Sequence, residues 1–330
     1  MTRKHLHHVV SIVLLTIVPA VAAHASEDTD DARFWLNKMS EAMSSKSYKG
    51  NFVYQGLNEM MAMNIVHTID EQGERERLIS LNGEQGEVIR DHQGVTCIFP
   101  HLRPVVLDKR GFSQVFPVSM IDVLDAKRNL YAVSIRRGHQ IAGRITRILT
   151  IRPRDKYRYG YRLWVDEDTG LLLKSQLIDS GGKVLEQLMY TSIDIYDKAP
   201  ETLRQAIPSD LVTTQEDSGM TAETVSEPDD HAWQVEHLPE GFLLAEYHNV
   251  HPSQKRKFDH LVYTDGLASV SVFIEKRDDK ASFLGASHMG AVTAYGSMIN
   301  EHQVTVVGEV PLETLRIMSG SVKYSAAGLH

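Results

Sequence analysis

The sequence predicts an α+β protein of mostly antiparallel β-structure, with a large N-terminal open β-barrel and a smaller C-terminal α+β domain. Residues 131–195 alternate long β-type runs with short turns and leave no room for crossover helices. Residues 199–230 are acidic and contain few large apolar side chains after Val212, a composition that is typical of a linker. A second set of β-type runs begins at Trp233. A chain of 330 residues is long enough for two such domains.

The first residues contain the three parts of a secretory signal. Arg3 and Lys4 give a basic start, an apolar run extends from Val9 to Ala23, and Ala23-His24-Ala25 is a small-residue cleavage site. The run is shorter than the roughly 18 to 20 residues of a membrane-spanning helix. We therefore expect residues 1–25 to be removed and the mature chain to reside in the periplasm, with an uncleaved membrane anchor as the alternative.

Composition argues against several other classes of protein. The formal charge is -8, and removal of Arg3 and Lys4 with the signal leaves about -10. An acidic chain is a poor match for nucleic acid. Cys97 is the single cysteine, so neither an intramolecular disulfide nor a cysteine-rich metal site can form. Its side chain is expected to pack as a small hydrophobe. The alternative is a disulfide between the Cys97 thiols of two chains, which would give a homo-oligomer.

The first domain is predicted to begin with a short helix and to continue as a meander. Asp30 or Asp31 can cap this helix, and its apolar residues follow at near-helical spacing: Phe34, Leu36, Met39 and Met43. From Tyr48 the apolar period changes to two, and turn residues such as Asn82-Gly83 separate the runs. This pattern predicts strands at 48–55, 61–69, 77–81, 87–90 and 95–99. Residues 120–129 are predicted to form a second helix.

The clearest strands lie between Tyr131 and Ile195, at 131–136, 144–151, 157–166, 171–178 and 184–195. The Asp166, Glu167 and Asp168 cluster leads into Thr169-Gly170, and Asp and Gly are the residues that a hairpin turn requires. We therefore interpret the cluster as a turn rather than as a calcium site or an acid catalyst. Consecutive hairpins of this length favour a sheet that curves into an incomplete barrel with a helix against it.

The second domain is predicted to hold shorter hairpins and one helix. Strands are expected at 233–237, 242–247, 257–264, 267–275, 291–298 and 303–307, and Pro311 followed by Glu313 is typical of a helix start. Residues 285–290 are interpreted as a surface loop. The resulting organisation is a signal peptide at 1–25, a first domain at 26–200, a linker at 201–230, a second domain at 231–320 and a tail at 321–330.

No motif for catalysis or for a cofactor stands out. Phosphate-binding glycine loops and the H-E-x-x-H zinc motif are absent from the sequence. His248 and His251 have a metal-like spacing, but no acidic third ligand lies near them in the sequence. Ser287 and His288 do not fit the spacing of a nucleophile elbow, which also belongs to a parallel sheet. We therefore expect no enzyme activity, no cofactor and no metal, and keep a hydrolase using Ser287 and His288 as a third hypothesis.

Basic residues concentrate between Arg136 and Arg162, immediately before the acidic linker. Such a concentration can steer an anionic partner, and guanidinium groups suit carboxylates and phosphates. The predicted anion- or partner-binding residues are Arg152, Arg154, Arg158 and Arg162. The alternative is that these arginines are solvated strand residues that pair with the acidic linker.

Several apolar residues are predicted to share the inner face of the curved sheet and to line a lipid cavity: Phe52, Tyr54, Leu163, Val165, Leu172, Leu177 and Met189. A half-open barrel with such a face can hold an acyl chain. An ordinary closed core is the alternative.

Taken together, several segments resemble the MucB/RseB family. In the first domain they are 152–174, Trp35-Leu36, 50–54 and 75–78; in the second they are 238–242, 265–275 and 304–311. The resemblance covers nearly the whole mature chain in order and spacing.

This resemblance implies an open β-barrel like that of periplasmic lipoprotein carriers, followed by a smaller domain. It also implies a negative regulator of the sigma-E envelope stress response. The family binds the periplasmic segment of a MucA- or RseA-like membrane anti-sigma factor and shields it from proteolysis, and a lipid-like signal such as a lipopolysaccharide fragment releases it. No catalytic residue carries over from the family. Cys97 stands alone, so any disulfide of the relatives is missing here. A periplasmic lipid or lipoprotein carrier is the runner-up.

Overall fold

The computed structural model describes residues 22–56, 59–71, 73–91, 94–98, 105–107, 129–207, 221–224, 232–253, 256–277 and 282–324. The predicted signal peptide lies almost wholly outside these residues, and so does the helix predicted at 120–129. Among the residues that are described, no helix is both long and apolar enough to cross a bilayer.

The first domain is one antiparallel sheet of eleven strands beneath a helix, α1, at Ala22–Ser45. The strands are β1 Ser47–Gln55, β2 Met60–Asp70, β3 Gly73–Ser80, β4 Glu87–Arg90, β5 Val95–Ile98, β6 Val105–Leu107, β7 Tyr131–Arg137, β8 Thr146–Pro153, β9 Gly160–Asp166, β10 Leu172–Ile178 and β11 Val184–Tyr196.

The sheet order is β6-β5-β4-β3-β2-β1-β11-β10-β9-β8-β7. Two meanders therefore meet where β1 pairs with β11. Among the described strands, β6 and β7 stand at the two edges, so the described part of the sheet is not closed into a barrel. The predicted fold class is confirmed in both its antiparallel character and its open form.

Helix α1 packs on one face of this sheet because its apolar residues recur at helical spacing. Leu36 and Met39 are buried in a cluster that includes Leu149 and Leu163 of the sheet. Gly170 follows the hairpin turn with φ +82°, and a Cβ at this position would lie 2.7 Å from the Lys38 backbone oxygen. The absence of a side chain at Gly170 therefore lets the helix approach the turn closely.

The second domain is a seven-stranded sheet, a two-stranded sheet and a helix. Its strands are β12 Thr221–Thr224, β13 Trp233–Val235, β14 Leu243–Ser253, β15 Arg256–Thr264, β16 Ser269–Lys276, β17 Gly285–Met289, β18 Val292–Ile299, β19 His302–Gly308 and β20 Val322–Tyr324, and its helix is α3 Leu312–Gly320. The large sheet has the order β12-β14-β15-β16-β19-β18-β17. Leu315 and Met318 of α3 are fully buried in its core.

Helix α1 begins at Ala22, so Asp30 and Asp31 lie inside it rather than at its start. Three further segments differ from the sequence-based expectation. Residues 285–290 were predicted as a loop, but β17 pairs there with β18 along the sheet edge. The predicted linker contains a one-turn helix, α2 at Glu201–Arg204, and the edge strand β12. The predicted tail contributes β20, which pairs with β13. These elements are short and carry little apolar periodicity, so their tertiary partners decide their structure.

Candidate functional site

A pocket opens on the helix-covered face of the first domain, on the β1–β3 side of the sheet. The space between its walls, counted together with the open solvent at its mouth, amounts to about 660 Å³. Its apolar walls come from α1, β1, β2, β3, β10 and β11, and are formed by Met43, Tyr48, Phe52, Ile65, Leu78, Leu172, Leu188 and Tyr190. The pocket therefore lies between the end of the helix and the strands that join the two meanders.

One part of the pocket wall is polar and is built by His67, Glu74, Glu76 and Arg90. The antiparallel register places these side chains together, because His67 pairs with Glu76 and Glu76 pairs with Arg90 across β2, β3 and β4. Glu74 lies two residues before Glu76 on β3 and therefore points to the same face.

Hydrogen bonds connect all four side chains. Arg90 Nη2 donates to Glu76 Oε2 at 2.9 Å and to Glu74 Oε1 at 3.2 Å. His67 Nε2 lies 3.2 Å from Glu74 Oε1, while His67 Nδ1 lies 3.1 Å from the Lys46 carbonyl oxygen. The His67 ring also stacks on Tyr48, with centroids 4.6 Å apart. We name the four residues His67, Glu74, Glu76 and Arg90 the polar cluster.

The position of the proton on His67 follows from its two partners. The Lys46 carbonyl can only accept, so Nδ1 carries a hydrogen. Nε2 faces a carboxylate oxygen, which also accepts unless it is protonated. Both ring nitrogens of His67 therefore face oxygen atoms that act as hydrogen-bond acceptors.

The two glutamates of the polar cluster differ in environment. Burial raises the pKa of Glu76 above its usual value, although Arg90 and His67 act in the other direction. The hydrogen bond from His67 lowers the pKa of Glu74 below its usual value, and burial only partly offsets this. Arg90 supports both carboxylates in their ionised form.

The polar cluster also has three groups that a metal ion could use. One ligand atom each from His67, Glu74 and Glu76 lies within 4.8 Å of the others. Arg90, however, already bonds to both carboxylates, and a bound cation would have to displace it. The arrangement therefore fits an internally paired ionic group better than a metal centre.

The residues predicted to line a lipid cavity are divided by the structure. Phe52 and Leu172 line the pocket, and Tyr54 packs in the same apolar cluster. Leu163 and Val165 are completely buried beneath α1, where they form a closed core.

Two further residues of that predicted set lie elsewhere. Leu177 is buried opposite Tyr161 on the neighbouring strand. Met189 pairs with Lys174 and packs with Trp164 and Ile148 on the opposite face of the sheet. Met189 therefore lies off the inner face, because Leu188 and Tyr190 on either side of it line the pocket and successive residues of a strand point to opposite faces.

The four predicted anion-binding arginines do not form one surface. Arg152 and Arg154 are exposed. Arg162 is half-buried and donates to Gln176 Oε1 at 3.4 Å and to the Gly182 carbonyl at 3.3 Å. Arg158 is fully buried between the two domains, so it is not available to a partner on the outer surface while the domains are docked.

Arg158 is the centre of a buried contact between the domains. Its Nη1 donates to Asp265 Oδ2 at 2.5 Å, and its Nη2 donates to the Glu240 carbonyl at 2.6 Å. Tyr131 donates its hydroxyl to the same Asp265 oxygen at 2.7 Å. Burial acts to lower the pKa of Arg158, but Asp265, Tyr131 and Asp155 outweigh it and raise that pKa.

Other contacts surround this buried pair. Leu267 of the second domain joins the apolar core beneath α1. Thr314 Oγ1 donates to the Tyr157 carbonyl at 2.6 Å, and Lys156 pairs with Glu313. On β11, Glu186 Oε1 accepts a hydrogen bond of 2.8 Å from the Ala291 amide. The docked domains therefore share both apolar and polar contacts.

A further link connects this boundary to the pocket. Tyr54, which packs beside the pocket lining, also hydrogen bonds to Glu186. Burial and Glu186 together raise the pKa of the Tyr54 hydroxyl. The Glu186 side chain therefore connects Tyr54, beside the pocket walls, to the Ala291 amide of the second domain.

The residues considered for catalysis are not assembled for it. Ser287 and His288 are consecutive on β17, so their side chains point to opposite faces. His288 Nδ1 lies 3.1 Å from Thr293 Oγ1. His248 Nε2 lies 2.8 Å from Glu246 Oε2 on the same strand. The predicted turn is confirmed, since Asp166 Oδ2 accepts from the amide and the hydroxyl of Thr169.

The polar cluster is not among the sites predicted from the sequence. The sequence contains one weak indication of it. Glu74 and Glu76 alternate with their neighbours in the same way as Leu78 on β3, so they point to the apolar face of the sheet. Charged residues at inward positions are uncommon without partners. The partners, His67 and Arg90, lie on neighbouring strands and can be identified only from the register.

The docked domains and the lined pocket define a two-domain β-sheet binding protein. The chain belongs to the MucB/RseB family: residues 31–211 match the MucB/RseB N-terminal domain and residues 227–323 match the MucB/RseB C-terminal domain.

Among its relatives, the sigma factor AlgU regulatory protein MucB of Pseudomonas aeruginosa is 32% identical over 95% of this chain and 98% of its own length. The sigma-E factor regulatory protein RseB of Haemophilus influenzae is 25% identical over 94% of this chain and 96% of its own. The names of these relatives describe regulators of sigma factors rather than enzymes.

Solved structures are similar over both domains. The complex of Pseudomonas aeruginosa MucA and MucB contains a chain that is 30% identical, with a TM-score of 0.70 over 90% of this chain and 99% of that one. A crystal structure of MucB in complex with MucA(peri) gives a TM-score of 0.68 at 29% identity, over 90% of this chain and 100% of that one.

Proposed function

We propose that this chain is a periplasmic negative regulator of the sigma-E envelope stress response. In this proposal it binds the periplasmic segment of a MucA- or RseA-like membrane anti-sigma factor and shields that segment from proteolysis. A lipid-like signal then enters the pocket and releases the segment. The chain performs these steps by binding and has no catalytic activity.

The observation that carries this proposal is the similarity, across both domains, to MucB crystallised with MucA. The regulatory names of the relatives at comparable coverage support it as well. The apolar pocket supports the lipid step, since its walls offer the kind of lining that an alkyl chain requires.

Release by a lipid requires that the two ligands prefer different states of the protein. An amphiphile in the pocket must bind the partner-free form more tightly, and by linkage the segment must then weaken the binding of the amphiphile. The contact from Tyr54 through Glu186 to the Ala291 amide supports this coupling, because it connects the pocket walls to the second domain. A change of the pocket would thus be felt at the domain boundary.

Arg152 and Arg154 remain the proposed anion-recognition residues of the partner surface. Both are exposed near the loop that Lys156 and Tyr157 anchor to α3. Guanidinium groups in such a position can pair with carboxylates of an acidic segment. A homo-oligomer remains a prediction, and Cys97 gives it no special support, since burial raises the pKa of its thiol and so disfavours the reactive thiolate.

A periplasmic lipid or lipoprotein carrier is the second candidate, and the apolar pocket is the observation that favours it. A carrier has no need for a second domain docked through a buried ion pair, which the structure contains. This feature makes the regulator the better-supported function.

Binding and protection assays separate the two functions. Residues 26–330 would be mixed with the periplasmic segment of the anti-sigma factor from the same organism, and cleavage of the segment by its protease would be followed. The regulator requires binding and slower cleavage. Failure to bind the segment, together with transfer of a bound lipid to acceptor vesicles, would move the assignment to the carrier.

A further inference from the structure

Two histidines and one glutamate meet on the large sheet of the second domain, on the face that points away from its core. His248 on β14 lies directly opposite His260 on β15, and Glu246 lies two residues before His248 on the same strand. Because alternate residues of a strand share one face, the three side chains project on the same side. The neighbouring Tyr247 and Leu261 point the other way and are buried in the core.

Strand pairing supplies ligands that sequence spacing did not indicate for His248. Glu246 Oε2 lies 2.8 Å from His248 Nε2, so an acidic group does stand beside this histidine. The second imidazole comes from His260 rather than from His251, because β14 and β15 are paired in that register. The centroids of the His248 and His260 rings are 5.9 Å apart.

The spacing of these groups is close to that around one tetrahedral zinc ion. Zn–N and Zn–O bonds of about 2.0 to 2.2 Å place two ligand atoms about 3.4 Å apart and two imidazole centroids roughly 5 Å apart. The 2.8 Å contact between His248 and Glu246 therefore has to widen slightly, and the two rings have to approach each other slightly. The Glu246 side chain is 51% exposed and can follow the ion.

The His260 ring is already held as a metal ligand would be. Its Nε2 lies 3.0 Å from Ser271 Oγ, which leaves Nδ1 to face an ion. A ligating histidine usually donates its other N–H to an oxygen atom, and Ser271 provides one. Stacking on Phe273, with centroids 4.3 Å apart, fixes the plane of the ring. Burial lowers the pKa of His260 to about 4, so the ring is in the neutral form that binds metal ions.

The polar cluster of the first domain is the competing site. Its three ligand atoms lie closer together, within 4.8 Å of one another, but Arg90 pairs with both of its carboxylates. Within the described part of the chain, Glu246 forms an ion pair with His248 only. A cation that binds beside His248 therefore displaces no arginine.

We propose that Glu246, His248 and His260 form a surface site for a zinc ion, with His260 bound through Nδ1 and the fourth position open to solvent. Two imidazoles and one carboxylate are a ligand set that suits Zn²⁺. The site lies in the second domain and is separate from the apolar pocket. It is also independent of the proposed regulatory function.

Calorimetric titration of residues 26–330 with Zn²⁺ tests the site. Wild type should bind one ion per chain with micromolar affinity, and His260→Gln and Glu246→Gln should each weaken binding by about tenfold or more. His237→Gln removes an exposed histidine elsewhere in the same domain and should leave the affinity unchanged. Absence of zinc binding by wild type, or equal affinity in wild type and both site variants, would overturn the proposal.

Two further measurements locate the ion. Zn²⁺ should raise the thermal unfolding midpoint of wild type but not that of Glu246→Gln, whose exposed side chain is not needed for folding. Glu74→Gln, which removes a carboxylate of the polar cluster, should bind zinc as wild type does. Loss of zinc binding in Glu74→Gln but not in Glu246→Gln would place the ion in the polar cluster and overturn the proposal. Binding of the anti-sigma factor segment without zinc tests the regulatory function separately.

Discussion

Arg158 Nη1 donates to Asp265 Oδ2 at 2.5 Å across the boundary between the two domains, and both side chains are completely buried. Asp265 also fixes its own turn, since its Oδ1 accepts from the Leu267 and Ala268 amides. Gly266 follows at φ +98°, a conformation that glycine adopts without strain. One aspartate thus holds a hairpin of the second domain and joins that hairpin to the first domain.

Substitution of Arg158 by Ala should weaken the docking of the domains. Asp265 would be left as a buried carboxylate without its cation, and breaking a buried pair in this way costs about 3 to 5 kcal/mol. Chemical denaturation should show this loss, with unfolding separated into two transitions. Lys156→Ala removes an exposed pair with Glu313 at the same boundary and should have little effect. Equal effects of the two substitutions would show that the buried pair is not the main polar link.

Gly170→Ala should displace α1 from the sheet. Its Cβ would lie 2.7 Å from the Lys38 backbone oxygen, at a residue with φ +82°. Gly143→Ala is a matched control, because Gly143 has φ +79° and a Cβ there meets nothing within 4 Å. Overpacking should make Gly170→Ala less stable than the control by about 1 to 3 kcal/mol. Thermal unfolding measures both, and equal losses would mean that backbone strain alone is responsible.

Glu76→Gln should change how stability depends on pH. Burial raises the pKa of Glu76 above 4.5, so between that pH and its folded pKa the folded state binds more protons than the unfolded state. The free energy of unfolding contributed by Glu76 therefore falls as pH rises through this interval. The stability of Glu76→Gln relative to wild type should rise over the same interval.

Glu74→Gln provides a control of opposite sign. The hydrogen bond from His67 lowers the pKa of Glu74 below 4.5, so this glutamate stabilises the folded state above that pH. That contribution is lost as pH falls through the folded pKa, and the glutamine variant lacks it. Urea denaturation between pH 3 and 8 follows both variants. If the stability relative to wild type changed with pH in the same direction for both variants, the different environments assigned to the two glutamates would be contradicted.

Replacing Arg152 and Arg154 together by Ala should weaken binding of the anti-sigma factor segment and reduce its dependence on salt. Exposed charges act through steering and screened attraction, so the effect should shrink at high ionic strength. Lys183 and Lys257 are also exposed, and their joint replacement by Ala makes the same change of charge elsewhere. Titrations at two salt concentrations compare the pairs. An equal loss of affinity for the segment in both double variants would show that net charge, rather than the surface around Arg152 and Arg154, is responsible.

Local sequence patterns predicted most of the sheets. Alternating apolar residues between glycine turns placed nearly every long strand, and glycines such as Gly83 and Gly143 do adopt positive φ in those turns. Strand β17 was missed because Gly285-Ala286-Ser287-His288-Met289 has the composition of a loop. Pairing with β18 stabilises it at the sheet edge, and this pairing leaves no local signal.

The site was less predictable because its parts are distant in sequence. In the sequence Arg158 is one of many basic residues, and only the fold brings it next to Asp265, which lies 107 positions away. Phe52 lines the pocket, but Met189 lies between the pocket-lining residues Leu188 and Tyr190 and so points to the opposite face, and nothing in the local sequence tells which face of β11 is the inner one. The polar cluster required the pairing of three strands, which composition and spacing do not specify.

The central claim is that an amphiphile in the pocket and the anti-sigma factor segment oppose each other. The direct test titrates the segment against residues 26–330 at increasing concentrations of lipopolysaccharide fragment. It repeats the titration with Leu188→Trp, which fills the pocket, and with Val184→Trp, an exposed residue on the same strand. Wild type and Val184→Trp should lose affinity for the segment by about 5- to 150-fold, the usual range of such coupling, whereas Leu188→Trp should resist the lipid. An affinity for the segment that stays constant in wild type as lipid is added would contradict the account.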